Sequence, residues 1–150
     1  MLTLISNRIT RRLGMNGSHR AIKRCGKPLL ATGSPMQRGE VRLIDFEPTR
    51  GSEANKRRPG IIVSNDRANA TADRLGRGVV TVVPVTSNIV RVFPFQVLLR
   101  ANATGLRVDS KAQAEQVRSV TVERIGPVLG RVPAQVMAEV DEALRLHLQL

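Results

Sequence analysis

The residues best suited to chemistry lie in one stretch, Phe46 to Asn65, which reads FEPTRGSEANKRRPGIIVSN. It leaves one apolar run, turns through Gly51-Ser52-Glu53, gathers Lys56, Arg57 and Arg58, and re-enters an apolar run through Pro59. A cationic loop pinned between two strands is a common place to hold a phosphate, because a guanidinium grips two phosphate oxygens through parallel hydrogen bonds. Other chemistries find fewer parts. The histidines are His19 and His147, at opposite ends of the chain, and Cys25 is the single cysteine, so neither a histidine pair nor a cysteine metal cluster is expected.

Composition narrows the class of partner. The 150 residues carry 24 Lys or Arg against 12 Asp or Glu, a net charge of +12, which points to an anionic partner. The aromatics are three phenylalanines, Phe46, Phe93 and Phe95, which is poor support for a binder that stacks successive bases on rings. The charge is uneven. Residues 1–35 hold seven basic side chains and no acid, while residues 36–150 hold 17 basic and all 12 acidic ones, a net of +5.

The organisation follows from that split. Residues 1–35 read as a basic, disordered extension, with a weak amphipathic pattern over Leu2 to Leu13. Two other readings apply to it: an Arg-rich organelle transit peptide, or an upstream extension with Met36 as the natural start. No run approaches the ~20 apolar residues of a membrane helix, and no signal-peptide core is present, so a cytoplasmic protein is expected.

Residues 36–150 read as one domain that must position the loop. Strands are expected at Glu40–Phe46, Gly60–Ser64, Gly78–Val85 and Phe93–Leu99, with short ones at Gly105–Asp109, Glu115–Val120 and Val128–Val132. Asn65–Ala72 reads as a short helical turn, Asp73–Arg77 as a turn or loop, and Thr121–Ile125 as a helical turn. Pro133 to His147 is the clear helix, with Val136, Met137, Val140, Ala143, Leu144 and Leu148 on one stripe. Many short strands and one terminal helix argue for a mainly β fold, a strongly bent antiparallel sheet or small barrel.

Four pieces in order then form a pattern: RGEV at 38–41, DFEPTRGSEANKRRPGIIVSND at 45–66, VVPVTSN at 82–88 and EQVRSV at 115–120. With the closing EVDEALRLHL at 139–148, they resemble the MazF (MazF/PemK-like) family of toxin endoribonucleases. The resemblance covers nearly all of residues 36–150 and leaves the leader outside. It implies an SH3-like barrel with a C-terminal helix, a homodimer, and sequence-specific cleavage of single-stranded RNA such as mRNA without metal or other cofactor. The 2′-hydroxyl attacks its own phosphate, leaving a 2′,3′-cyclic phosphate and a 5′-hydroxyl. It also implies a toxin that arrests growth by blocking translation, and a cognate acidic antitoxin whose disordered tail folds on binding.

By resemblance the catalytic residues are Arg58, the arginine before the family's proline, and Thr86, the threonine closing VPVT. Lys56 and Arg57 are phosphate neighbours, while Ser52 and Glu53 either join the site or only shape the turn. Asn65, Asp66, Ser87, Asn88, Gln116 and Arg118 are candidates to hydrogen-bond splayed bases. Arginine is an awkward proton carrier, so two mechanisms stay open. Either Arg58 moves the proton, or it stabilises charge while water, Glu53 or Glu115 does so. Two other functions compete. A plain nucleic-acid-binding barrel fits the charge equally well. A CcdB-like gyrase poison shares the fold, but depends on a C-terminal tryptophan that this chain lacks.

Overall fold

The computed structural model describes residues 35–150; the expectations for the leader lie outside them. Seven strands alternate with short helical pieces: β1 (Glu40–Asp45), β2 (Arg57–Ile62), α1 (Asp66–Leu75), β3 (Val79–Thr86), β4 (Gln96–Leu99), α2 (Ala101–Thr104), β5 (Ser110–Gln113), β6 (Arg118–Thr121), β7 (Ile125–Arg131) and α3 (Ala134–Leu148). All pairings are antiparallel, in the order β4-β5-β3-β2-β1-β7, with β6 alongside the first half of β3. The sheet is mostly β with a C-terminal helix, as expected, but it stays open, with β4 and β7 at its edges.

The apolar runs that predict β2 and β3 are continuous because the sheet is covered on both faces. Alternate residues go to opposite sides. Val83 and Val85 of β3 pack with Val41, Ile61, Leu99 and the Val140 and Ala143 face of α3. Val80 and Val82 pack the other way, with Ile44, Phe46, Ile62 and Ala72 of α1. Each such aliphatic side chain contributes about 1.5–3 kcal/mol when fully buried.

Four local expectations need correcting. Residues 66–75 form a helix of 10 residues rather than a turn and loop. Its signals are an Asn65 side chain accepting from the Ala68 amide at 2.9 Å and Gly76 at φ 59 closing the last turn. The hydropathy pattern hid it because its most buried residue is polar. Asn69 is fully buried and is bonded to Ser64 by both its side-chain oxygen and its nitrogen. Residues 105–109 are not a strand; Gly105, at φ 80, ends α2 and the strand begins at Ser110. Within 115–120 a 3-10 turn, Ala114–Gln116, precedes β6. Phe93 and Phe95 stand outside β4, where they stack with ring centroids 5.4 Å apart. Among the described residues no helix is long and apolar enough to cross a membrane.

Candidate active site

Arg58 and Thr86 reach one place through the sheet. In the β2–β3 ladder Gly60 opposes Pro84, and continuing that register by two residues sets Arg58 against Thr86. On the far side of β3, Thr86 is paired with Lys111 of β5. Arg58 is near the start of β2 and Thr86 is the last residue of β3, so both stand at the same end of the sheet. There a cavity of about 610 Å³ opens, lined by Lys56, Arg57, Arg58, Thr86 and Ser87. Its other wall is Leu106, Arg107, Val108, Val128 and Leu129. Four cations face this space and none of its lining residues is acidic. Such a site attracts a polyanion.

The guanidinium of Arg58 is oriented from behind. Its Nε donates to the Asn55 carbonyl at 2.7 Å and its Nη2 to Asn55 Oδ1 at 2.8 Å. Two of the five N–H donors of arginine are thereby taken, and three remain for a ligand. Lys56 lies between the two residues at φ 60, in the left-handed region. That conformation is rare outside glycine and turns the chain sharply into β2. The Thr86 hydroxyl oxygen accepts from the Asn88 amide at 3.3 Å, which leaves its O–H free to donate.

The other candidates divide among three places. Ser52, Glu53, Gln116 and Arg118 line a second groove of about 640 Å³ together with Glu115. Here Gln116 and Arg118 also hold the loop. Gln116 accepts from the Ala54 amide and donates to the Ser52 carbonyl, while Arg118 donates to the Phe46 carbonyl at 3.3 Å and lies 5.4 Å from the Phe46 ring centroid. One carboxylate oxygen of Glu115 is buried without a partner, the other accepting from Gln96. Asn65 and Asp66 line neither space; Asn65 caps α1, and Asp66 accepts from the Arg38 amide. Asn88 is exposed, two residues past Thr86.

Sequence reasoning missed Asn55, Arg107 and the apolar wall. Asn55 sits beside the basic triplet, but nothing in its type marks it as the group that aims Arg58. Leu106 to Val108 and Val128 to Leu129 come from distant segments that only the fold brings to the cavity. They meet because Gly105 and Gly130 are packed closely. A Cβ on Gly130 would lie 1.9 Å from the Thr104 carbonyl oxygen.

Comparison with known proteins identifies the family and the fold. Residues 37–148 match the family model described as PemK-like, MazF-like toxin of type II toxin–antitoxin system. Over 115 residues the chain is 65% identical to endoribonuclease MazF9 of Mycobacterium tuberculosis, covering 77% of this chain and 98% of that one. It is 36% identical to endoribonuclease PemK of Escherichia coli, over 75% of this chain and 81% of that one. Among solved structures, MazF of Deinococcus radiodurans superposes with a TM-score of 0.66 at 28% identity, covering 79% of this chain and all of that chain. A MazE–MazF structure from the same organism gives 0.59 at 26% identity, covering 79% and 99%.

Proposed function

The chain belongs to the PemK-like, MazF-like toxin family of type II toxin–antitoxin systems, and from that premise we propose that it cleaves single-stranded RNA at Arg58 and Thr86. It is an RNA-cleaving toxin, as the names of its relatives indicate. One observation carries the assignment of the site: Arg58 and Thr86, far apart in sequence, come together at an acid-free basic cavity.

In this reading the 2′-hydroxyl oxygen attacks the neighbouring phosphorus. The P–O2′ bond forms, the P–O5′ bond breaks, and the proton lost from the 2′-oxygen is balanced by one gained at the 5′-oxygen. The products are a 2′,3′-cyclic phosphate and a 5′-hydroxyl. The three free N–H groups of Arg58 neutralise the charge that grows on the phosphorane, held in position by Asn55 before the substrate arrives. The Thr86 hydroxyl donates to a non-bridging oxygen. Neither Glu53 nor Glu115 lines this cavity, which favours Arg58 or water over a carboxylate as the proton carrier. Lys56, Arg57 and Arg107 hold flanking phosphates. Residues 36–150 are the catalytic domain, acting in the cytoplasm as a homodimer. A cognate acidic antitoxin, with charge opposite to the cavity's, is the controlling partner.

The test is cleavage of a long single-stranded RNA in EDTA, beside Arg58→Ala and Thr86→Ala, with the new ends mapped. Discrete cuts at one short string, with 5′-hydroxyl ends and lost in both variants, are expected. Folded wild-type protein that binds RNA without cutting it would favour a binding module instead. Undiminished cutting by Arg58→Ala would refute the assignment of that residue.

A further inference from the structure

We propose that Lys111 is a positioning residue of the RNA-cleaving site, tethering the loop that leaves Thr86; the proposal rests on the assignment of Arg58 and Thr86 to the chemistry. Lys111 is paired with Thr86 across β3–β5, and the β2–β3 register sets Arg58 on the other side of Thr86. Directly opposed residues in a ladder share a sheet face, so Thr86 and Lys111 do, and the β2–β3 register continued beyond Gly60–Pro84 brings Arg58 into line with them. Sequence gives no hint of this, since a lysine in the run DSKAQ reads as a solvated charge.

Lys111 is 8% exposed, and no carboxylate among the described residues lies within ion-pair distance of it. A buried, unpaired ammonium is unfavourable, and lysines are almost never buried this way. Its partner is a backbone group: Nζ donates to the Arg91 carbonyl at 2.5 Å. Arg91 belongs to the loop of residues 87–95, which starts at Ser87 in the cavity wall. Little apolar packing holds the tip of that loop, since Val90 is 95% exposed and Ile89 and Val92 are exposed as well. Its fixed points are polar or aromatic: the Asn88 amide on Thr86, the Val90 amide on Asn88, the Lys111 ammonium on the Arg91 carbonyl, the Arg91 guanidinium 4.5 Å from the Phe93 ring centroid, and, at the far end, the Phe93 amide on Gln96. A buried lysine is therefore used to attach a solvent-facing loop to the strand beside the reacting centre. An RNA strand passing Thr86 runs along that loop. The tether sets where the strand lies, and the bond-breaking step is left to Arg58 and Thr86.

The experiment compares the full-length wild type with Lys111→Met, Lys111→Arg and Arg58→Ala on a single-stranded RNA oligonucleotide that contains one mapped cut. Lys111→Met is expected to raise KM about tenfold, with a smaller change in kcat, the effect of losing one charge-assisted hydrogen bond. Additional cuts at related strings and faster amide exchange over residues 88–92 should accompany it. Lys111→Arg retains a cationic donor and is expected to restore most of the loss. A folded Lys111→Met protein with wild-type KM and cut pattern, beside an inactive Arg58→Ala, overturns the proposal while leaving the catalytic assignment standing. A fall in kcat alone, with KM unchanged, also overturns it, because lost stability only lowers the active fraction. If Arg58→Ala cuts normally, the underlying site is wrong. Should Lys111→Met not fold, Lys111→Gln carries the same test, because its shorter side chain cannot span to the Arg91 carbonyl.

Discussion

Asn55 offers the sharpest test of how the basic cavity works. It receives both bonds that orient the Arg58 guanidinium, one on its backbone oxygen at 2.7 Å and one on its side-chain oxygen at 2.8 Å. Asn55→Ala deletes the second and leaves the first. A hydrogen bond from a charged donor contributes about 1.5–3 kcal/mol. Arg58 is half-buried, so water replaces part of that, and about 1 kcal/mol of orientation is left to lose. Since ~1.4 kcal/mol is a factor of ten in rate, kcat should fall about fivefold. Removing the donor itself, in Arg58→Ala, should cost about 10²–10³. Asn55→Asp separates orientation from charge. It keeps an acceptor for the guanidinium but sets a negative charge beside the incoming phosphate, so its loss should appear mainly as a higher KM. Single-turnover cleavage of a fluorescent RNA, read at saturating and sub-saturating enzyme, gives both quantities. A folded Asn55→Ala protein with wild-type kcat at saturation would refute the claim that this residue orients Arg58.

Two further predictions concern the frame that holds the cavity wall. Gly130→Ala would force a Cβ to 1.9 Å from the Thr104 carbonyl oxygen and 3.0 Å from its carbon, both backbone atoms that cannot swing aside. It should lower stability by at least ~2 kcal/mol in urea unfolding; an unchanged midpoint would mean that α2 and β7 do not pack this closely. Asp109 tests the same wall by pH. The Ala101 amide, and after it the Arg100 guanidinium, hold its carboxyl below the ordinary 3.8. A carboxylate depressed on folding stabilises fully above its unfolded pKa, and that contribution disappears as pH falls through the lower folded value. The melting-temperature gap between wild type and Asp109→Asn should therefore be constant near neutrality and shrink below about pH 3.8. A gap that persists at the acid end would contradict this.

The strands and helix that carry the frame were legible wherever a local pattern had a local cause. β1, β2, β3 and α3 follow from β-branched runs, from Pro59 near a strand start and from one helical stripe. Elements failed where burial is polar or the segment is short. The buried face of α1 is built on Asn69, and hydropathy cannot register a polar residue whose partners lie elsewhere in the fold. β5 has four residues, SKAQ, with two polar ones buried, and no periodicity can be read from so few.

For the site, the residue types of the 46–65 stretch pointed towards a phosphate-directed loop, but a Lys-Arg-Arg run on its own is more often a solvated surface. The family pattern supplied Arg58 and Thr86 as a pair. Only the tertiary structure decided that the β2–β3 register, continued two residues beyond Gly60–Pro84, sets them opposite each other, that Asn55 bonds the first, and that Leu106, Arg107, Val128 and Leu129 line the cavity. The physical reason is range. Charge and strand propensity belong to a residue and its immediate neighbours, whereas strand register, close glycine packing and the burial of a charge such as Lys111 exist only between segments distant in the chain.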